Sequence, residues 1–293
     1  MSVHIVVPYY VEPRYLIELI DSVRAQTRPD WLLTIVDDQY PGTEAEDYIA
    51  KLGDERIEYV RNERNLGATA NVCHCMTLGR LDYLTVMGAD DALEPGYVEL
   101  VHDAFARHPD AIMVHPGVTI VDGDGAPTDT LTDRVKRLAS RNAWRQQELD
   151  GQAALESLMK GNWLYVGAMC FRQNVVPRAQ NLGEYKSIAD LGWVTDMLLG
   201  GGTLALDPTP GYRMRRYATS HSASHAKTVT RFDEEATYYL VAARQLEDKG
   251  WTKAARAARR HPLSRLHAMH SAIGALSSGD VRLAAVLTGR AVR

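Results

Sequence analysis

Five short β-rich runs alternate with four helical patterns in the first 121 residues, and nothing else in the chain limits its fold as strongly. The runs are Val3–Val7, Leu32–Val36, Ile57–Val60, Tyr83–Met87 and Ala111–Val114. Between them, helical patterns cover Pro13–Gln26, Thr43–Leu52, Gly67–Leu78 and Glu94–Arg107. Strand–helix alternation predicts an α/β fold, a Rossmann-like and mainly parallel sheet with helices on both faces. Pro13 suits the first turn of its helix, and Leu16, Ile17, Leu19, Ile20 and Val23 form an apolar stripe along it. At 293 residues the chain suffices for one large domain or two small ones.

Beyond Val121 the pattern loosens. Asp122-Gly123-Asp124-Gly125 is a turn signal, and the charged stretch Arg134–Trp144 reads as a mobile segment. A helix is expected over Gln152–Lys160, a strand over Tyr165–Arg172 and a helix over Ile188–Leu199, ended by Gly200-Gly201-Gly202. From Phe232 onward everything reads as helix: Phe232–Lys249, Thr252–Arg259, Pro262–Leu276 and Val281–Arg290.

Composition narrows the function classes. A net charge of −4 argues against a general nucleic-acid binder. Apolar runs such as Leu32–Val36 are too short to span a bilayer, and no basic segment precedes an apolar stretch at Met1–Ile5. A cytoplasmic location is therefore expected. Cys73, Cys75 and Cys170 are too few for a disulfide framework, and Cys73-His74-Cys75 lacks the spacing of a zinc site. Charge is uneven, however. Trp251–Arg293 carries eight Lys and Arg residues against the single acid Asp280, a net +7. The ordinary reading is a solvated helical face. The alternatives are contact with an anionic membrane surface, or a homodimer formed through these helices.

In an open α/β sheet, ligands bind at the carboxyl ends of the strands. Those ends are Pro8-Tyr9-Tyr10, Asp37-Asp38, Arg61–Gly67 and Gly88–Asp91. A carboxylate at Asp37 or Asp38 suits the N–H or hydroxyl of a base or ribose, or else a helix cap. Adjacent acids Asp90 and Asp91 repel unless a cation neutralises them, and a divalent cation prefers oxygen ligands. Asn65-Leu66-Gly67 opens a helix whose first N–H groups attract phosphate, with Arg61 and Arg64 nearby.

In order and spacing, these pieces resemble glycosyltransferase family 2 and its GT-A fold. The resemblance runs through Val6-Val7-Pro8-Tyr9-Tyr10, Ser22–Thr27, Ile35-Val36-Asp37-Asp38, Asn65-Leu66-Gly67 and Ala89-Asp90-Asp91 with Pro95 four residues on, over about the first 110 residues. It implies a nucleotide-sugar-binding half over residues 1–121, an acceptor-binding half over 122–231 and a helical C-terminal region over 232–293. It also implies roles. Pro8, Tyr9 and Glu12 line the nucleotide pocket, and Asp38 reads the base. Arg64, Asn65, Gly67 and Ala89 lie beside the nucleotide, and Asp90 holds the ribose. Asp91 binds a divalent metal, manganese or magnesium, under the diphosphate. The sequence departs from the pattern at Tyr10-Val11, where an Asn is usual, and at Gly88, where the family often has another acid.

The second half matches more loosely. Gly161-Asn162-Trp163 and Cys170-Phe171-Arg172 resemble the strand entering the acceptor site. Ala189-Asp190 resembles the family's Glu-Asp motif, whose Asp is the general base in inverting members. A carboxylate that takes the proton of an acceptor hydroxyl is typically worth ~10²–10⁴-fold in rate. Asp190 is the expected base and Asp196 the alternative. In Tyr212–Ser222, Tyr217 stands where the family often has a metal-binding His. His221 is the expected substitute, His225 the alternative, and Arg215 and Arg216 suit a diphosphate.

The resemblance thus implies a metal-dependent inverting glycosyltransferase. Its donor is a nucleoside-diphosphate sugar, UDP by family frequency, and its acceptor a glycan precursor or small natural product. A catalytically silent nucleotide-sugar-binding subunit is the competing class, favoured by Gly88, Ala189 and Tyr217. A dinucleotide oxidoreductase is disfavoured because Pro8–Glu12 replaces the glycine-rich turn after the first strand.

Overall fold

A computed structural model describes residues 1–176, 185, 187–217 and 229–292. Among these, nine strands form one sheet: β1 (Val3–Tyr9), β2 (Trp31–Asp37), β3 (Ile57–Arg61), β4 (Tyr83–Val86), β5 (Ala92–Leu93), β6 (Ala111–Val121), β7 (Glu148–Asp150), β8 (Cys170–Arg172) and β9 (Thr203–Arg215). Their order is β3-β2-β1-β4-β8-β6-β9-β5, with β7 paired to β9. β1 pairs in parallel with β2 and β4, β2 with β3, and β6 with β9. β8 runs antiparallel between β4 and β6, so the sheet continues across residue 121 without a break.

Both faces of the sheet are covered, which is why its strands read as continuous apolar runs. Alternate residues point to opposite faces. Val3, Ile5, Val7 and Tyr9 pack with α1 (Pro13–Arg24), α2 (Glu44–Leu52) and α4 (Tyr97–Arg107). Val6, Val36, Leu84 and Val86 face α3 (Ala68–Thr77), α6 (Gly151–Lys160) and α7 (Ala189–Leu199), and with them α8 (Val229–Asp248) and α9 (Thr252–Arg260). The last two helices, α10 (Pro262–Ser277) and α11 (Val281–Val292), form a small separate cluster around Ala268, Ala272, Ala284 and Leu287, reached from the body by Phe232.

Three expectations change. The charged stretch read as mobile is helix α5 (Leu131–Gln146). Thr130 caps it by accepting from the Asp133 N–H at 3.2 Å, and its buried residues are Asp133, Ser140 and Ala143. Polar anchoring of this kind leaves little apolar periodicity to read. The strand expected over Tyr165–Arg172 is instead a 3₁₀ turn (Val166–Ala168) followed by the short β8. The long strand β9 has no counterpart among the expected elements. Pro208, Pro210 and Gly211 disguise it, because proline within a central strand argues against one. The prolines are accommodated at register shifts against β6, between Pro116 and Val118. Gly117 is required there, since a Cβ on it would stand 2.6 Å from the Pro208 carbonyl oxygen.

Candidate active site

The polar strand ends gather along one edge of the sheet, as the parallel order dictates. At the end of β1, the Tyr9 ring lies 5.2 Å from that of Tyr40, and Tyr10 meets Tyr40 edge-on at 6.0 Å. The Tyr9 hydroxyl is buried without a hydrogen-bond partner. Pro8 is half-buried, while Glu12 and Arg64 are exposed. Glu12 pairs with Arg14 at 3.0 Å.

The two acids after β2 are turned inward. Asp37 accepts from the Tyr59 hydroxyl (2.5 Å) and the Tyr40 N–H (2.7 Å), and pairs with Arg61 at 3.1 Å. Asp38 Oδ1 accepts from Asn62 Nδ2 and the Leu66 N–H, both at 2.8 Å, and Oδ2 from the Gly67 N–H at 2.9 Å. Asn65 Nδ2 donates to the Asp38 carbonyl at 2.8 Å. The amides ahead of α3, expected to face a phosphate, therefore already hold a carboxylate, and Asp38 ties the loop that the sequence set beside the nucleotide. Gly67 has φ +82°, a conformation that favours glycine.

Asp90 and Asp91 follow β4, and the two-residue β5 immediately after them pairs with β9 through Ala92↔Arg213 and Leu93↔Tyr212. That pairing sets β9 against the acids. Asp91 Oδ2 accepts from the Tyr212 hydroxyl at 2.5 Å and Oδ1 from the Arg215 N–H at 2.8 Å. Tyr217 donates its hydroxyl to Asp90 Oδ2 at 2.9 Å. Burial, then the neighbouring Asp90 charge, pushes the Asp91 carboxyl up to about 7, against the pull of Tyr212 and the Arg215 N–H. Gly88 is the space that lets both acids share this corner. A Cβ there would lie 2.9 Å from Asp90 Oδ1 and from Asp91 Oδ2. Ala89 is buried beneath them.

Arg215, expected to suit a diphosphate, is turned inward. Its guanidinium is buried, paired with Glu18 at 2.6 Å, and donates through Nε to the Asp90 carbonyl at 2.8 Å. It braces the acid loop from within. Arg216 turns to Asp133 at 2.9 Å. His221 and His225 lie outside the described residues. Among the described residues, no group of three His, Cys, Asp or Glu side chains is placed to hold a metal ion.

Asp190 opens α7 and accepts from Asn162 Nδ2 at 3.1 Å and the Leu191 N–H at 2.7 Å. Burial holds its carboxyl above the ordinary range, opposed by the Leu191 N–H, Lys136 and Asn162. Asp196 sits on the exposed side of the same helix. Lys136 of α5 donates to the Leu164 carbonyl at 2.7 Å and lies 4.1 Å from the centre of the Tyr165 ring. Burial pushes its ammonium down to about 8, although Asp190 beside it pulls the other way. Tyr165 donates to Asp133 at 2.8 Å. Burial pushes the Asp133 carboxyl up, but Arg216, Thr130 and Tyr165 outweigh it and hold it below the usual range. Sequence reasoning missed Asp133, Lys136 and Tyr165. A Thr-x-x-Asp pattern, Thr130 to Asp133, was the available signal that a helix starts there.

Parallel strands with an aromatic pair, a tied loop and an acid pair at their carboxyl ends define a Rossmann-like α/β class of protein, in which ligands bind at that edge. The model of the family described as glycosyl transferase family 2 matches residues 4–162. That is more than half of the chain, and the chain belongs to this family. It is 32% identical over 126 residues to an uncharacterized glycosyltransferase of Methanocaldococcus jannaschii, a match covering 42% of this chain and 43% of that one. The chain spans less than half the length of the curated relatives it matches. Its fold is similar to that of Staphylococcus aureus TarS residues 1–349, with a TM-score of 0.67, 12% identity, and coverage of 99% of this chain and 82% of that one. TarS solved in complex with UDP-GlcNAc aligns with a TM-score of 0.64 and 11% identity, covering 98% and 90%. The GT-A fold is thereby shown.

Proposed function

We propose that this glycosyltransferase is an inverting enzyme, transferring a sugar from a nucleoside-diphosphate donor to an acceptor hydroxyl with Asp190 as general base. One observation carries the reading: a chain of charged groups joins the acid pair to Asp190. Arg216 acts electrostatically on Asp91 and bonds Asp133, while Lys136 lies within electrostatic reach of both Asp133 and Asp190. Donor-side and acceptor-side groups are thus linked by one continuous run of charges. Asp190, held by Asn162 and the Leu191 N–H, takes the proton of the acceptor hydroxyl as its oxygen attacks the anomeric carbon. The diphosphate departs from the opposite face. A carboxyl held above its usual range is a stronger base for this step.

Tyr10 and Tyr40 supply the aromatic wall for a base, with the buried Tyr9 ring packed behind Tyr40, and Pro8, Glu12 and Arg64 border it. Asp38 acts through the loop of Asn65 and Gly67. A UDP-sugar is the favoured donor, and the likeness to TarS, solved with UDP-GlcNAc, supports it. The residues also fit a divalent cation. Each Asp91 oxygen accepts one bond and retains a lone pair, and burial beside the Asp90 charge raises the Asp91 carboxyl, a combination that a cation would relieve. Asp91 would hold the ion, with Asp90 beside it and His221, outside the described residues, as the candidate further ligand. The ion would stabilise charge on the departing diphosphate.

The test is a panel of nucleotide sugars with manganese or magnesium, read first by thermal shift and then by release of the nucleoside diphosphate. A donor at 100 times its dissociation constant stabilises by about 2.7 kcal/mol. Asp190→Asn should keep this shift and lose at least about a hundredfold in transfer rate. Equal turnover by that variant removes Asp190 from the mechanism. Binding without turnover across a broad acceptor panel selects the silent-subunit reading instead.

A further inference from the structure

The α10 helix carries an apolar face that the described chain leaves uncovered. Leu266, Met269, Ile273 and Leu276 are 59%, 37%, 60% and 55% exposed. Their 3-4-3 spacing places them on one side of the helix. The helix has already used its other side for packing, since Ala268, Ala272 and Ala275 are buried against Ala284 and Leu287 of α11 and Phe232 of α8. The exposed stripe is therefore not the core face of a misread helix. It is a second apolar face on a helix that already has one.

We propose that this face docks on an anionic lipid surface, with α10 lying in the plane of the interface. The charge of its surroundings selects that occupant. Residues 251–293 carry a net +7, and Lys253, Arg256, Arg260 and Arg282 are exposed. A second copy of the chain would bring two such segments together and repel. An anionic bilayer supplies the charge opposite to that of the segment, and large apolar side chains exposed on a surface helix can enter its interface. No helix among the described residues is long and apolar enough to cross a membrane, so the contact is one of lying on the surface and not of spanning it. Such docking would hold the enzyme at a membrane whatever its donor, and its test does not depend on the sugar-transfer reading.

The experiment is co-sedimentation of the whole chain with vesicles of phosphatidylcholine alone and with phosphatidylglycerol added. Binding is expected only with the anionic lipid, falling as salt rises. Leu266→Ser combined with Ile273→Ser should lower the partition coefficient by at least about tenfold, since both apolar side chains leave the interface. Arg256→Gln with Arg282→Gln should weaken binding to anionic vesicles by about fivefold for each charge that faces the lipid. Circular dichroism melts check that both variants remain folded, which surface serines and glutamines permit. Three results would overturn the proposal: no sedimentation with anionic vesicles, sedimentation unchanged in the serine variant, or a dimer seen by light scattering that the serine variant dissolves. The last would assign the face to a second copy.

Discussion

Replacing Asp38 by alanine removes one carboxylate that three donors share: Asn62 Nδ2, the Leu66 N–H and the Gly67 N–H, at 2.8, 2.8 and 2.9 Å. A hydrogen bond to a charged group contributes about 1.5–3 kcal/mol, so three set a ceiling of roughly 5–9 kcal/mol. The loss should be smaller than that. Gly67 is exposed and Leu66 half-buried, so water replaces part of it, and Asn62 keeps a bond to Asn71 Oδ1 at 2.9 Å. A net cost of about 2–4 kcal/mol is expected. Asp38→Asn retains one oxygen for Asn62 and Leu66 but turns an amide N–H toward the Gly67 N–H, and should lose about half as much. Urea denaturation gives the stabilities, and calorimetric titration with UDP and CDP gives the affinities. If Asp38 acts through the loop, affinity for both nucleotides declines together, in the order of the stability losses. An alanine variant as stable as the parent would refute the reasoning. So would an asparagine variant of parental stability that no longer distinguishes UDP from CDP, because Asp38 would then read the base directly.

The acid pair yields three further predictions. Gly88→Ala places a Cβ 2.9 Å from an oxygen of each carboxylate, so it should cost about 1–3 kcal/mol in stability and weaken donor binding at least tenfold, measured by denaturation and titration. An unchanged affinity would mean that the corner is looser than its contacts imply. Asp91 should make the folded state pH-sensitive. Its carboxyl lies near 7 when folded and near ~3.9 when unfolded, so the folded state binds more protons between those values. The stability of the parent relative to Asp91→Asn should therefore fall as pH rises through about 7, and added manganese should restore it in the parent alone; a difference flat with pH in thermal melts would show that Asp91 ionises normally. Tyr217→Phe removes the hydroxyl that Asp90 Oδ2 accepts at 2.9 Å but keeps the ring 5.4 Å from Tyr15, so it should change metal affinity with little effect on the melting temperature.

How much was legible in the sequence follows from which force built each element. Strands β1, β2 and β4 are buried on both faces, and the strand ends carry polar residues where the parallel order puts them, so pattern alone placed Tyr9, Asp38, Asn65 and Asp90–Asp91 at the carboxyl edge of the sheet. Helix α5 was illegible because its anchoring is polar. Asp133 is buried not by hydrocarbon but by Thr130, Tyr165 and Arg216, and the last two of these are distant in the chain. Lys136 went unnoticed for the same reason, since one charged residue among many has no periodicity to mark it.

Strand β9 illustrates the limit most clearly, and it also explains the site. Read locally, Asp207-Pro-Thr-Pro-Gly211 breaks a strand; in the structure the break is absorbed at a bulge opposite Gly117, and the chain resumes pairing with β6 and β5. That resumption is what delivers Tyr212, Arg215 and Tyr217 to Asp91 and Asp90, residues more than 120 positions earlier. Tyr217, which the sequence marked only as a departure from a histidine, thus contacts the very acid pair that such a histidine would serve. The departures at Gly88 and at Tyr217 meet at one corner: an acid is absent where the two carboxylates pack, and a phenol donates to one of them. A cation bound there would meet fewer negative ligands than the family's fuller motif offers. Metal affinity, more than donor affinity, should therefore be where this chain differs from relatives that keep all three acids and the histidine.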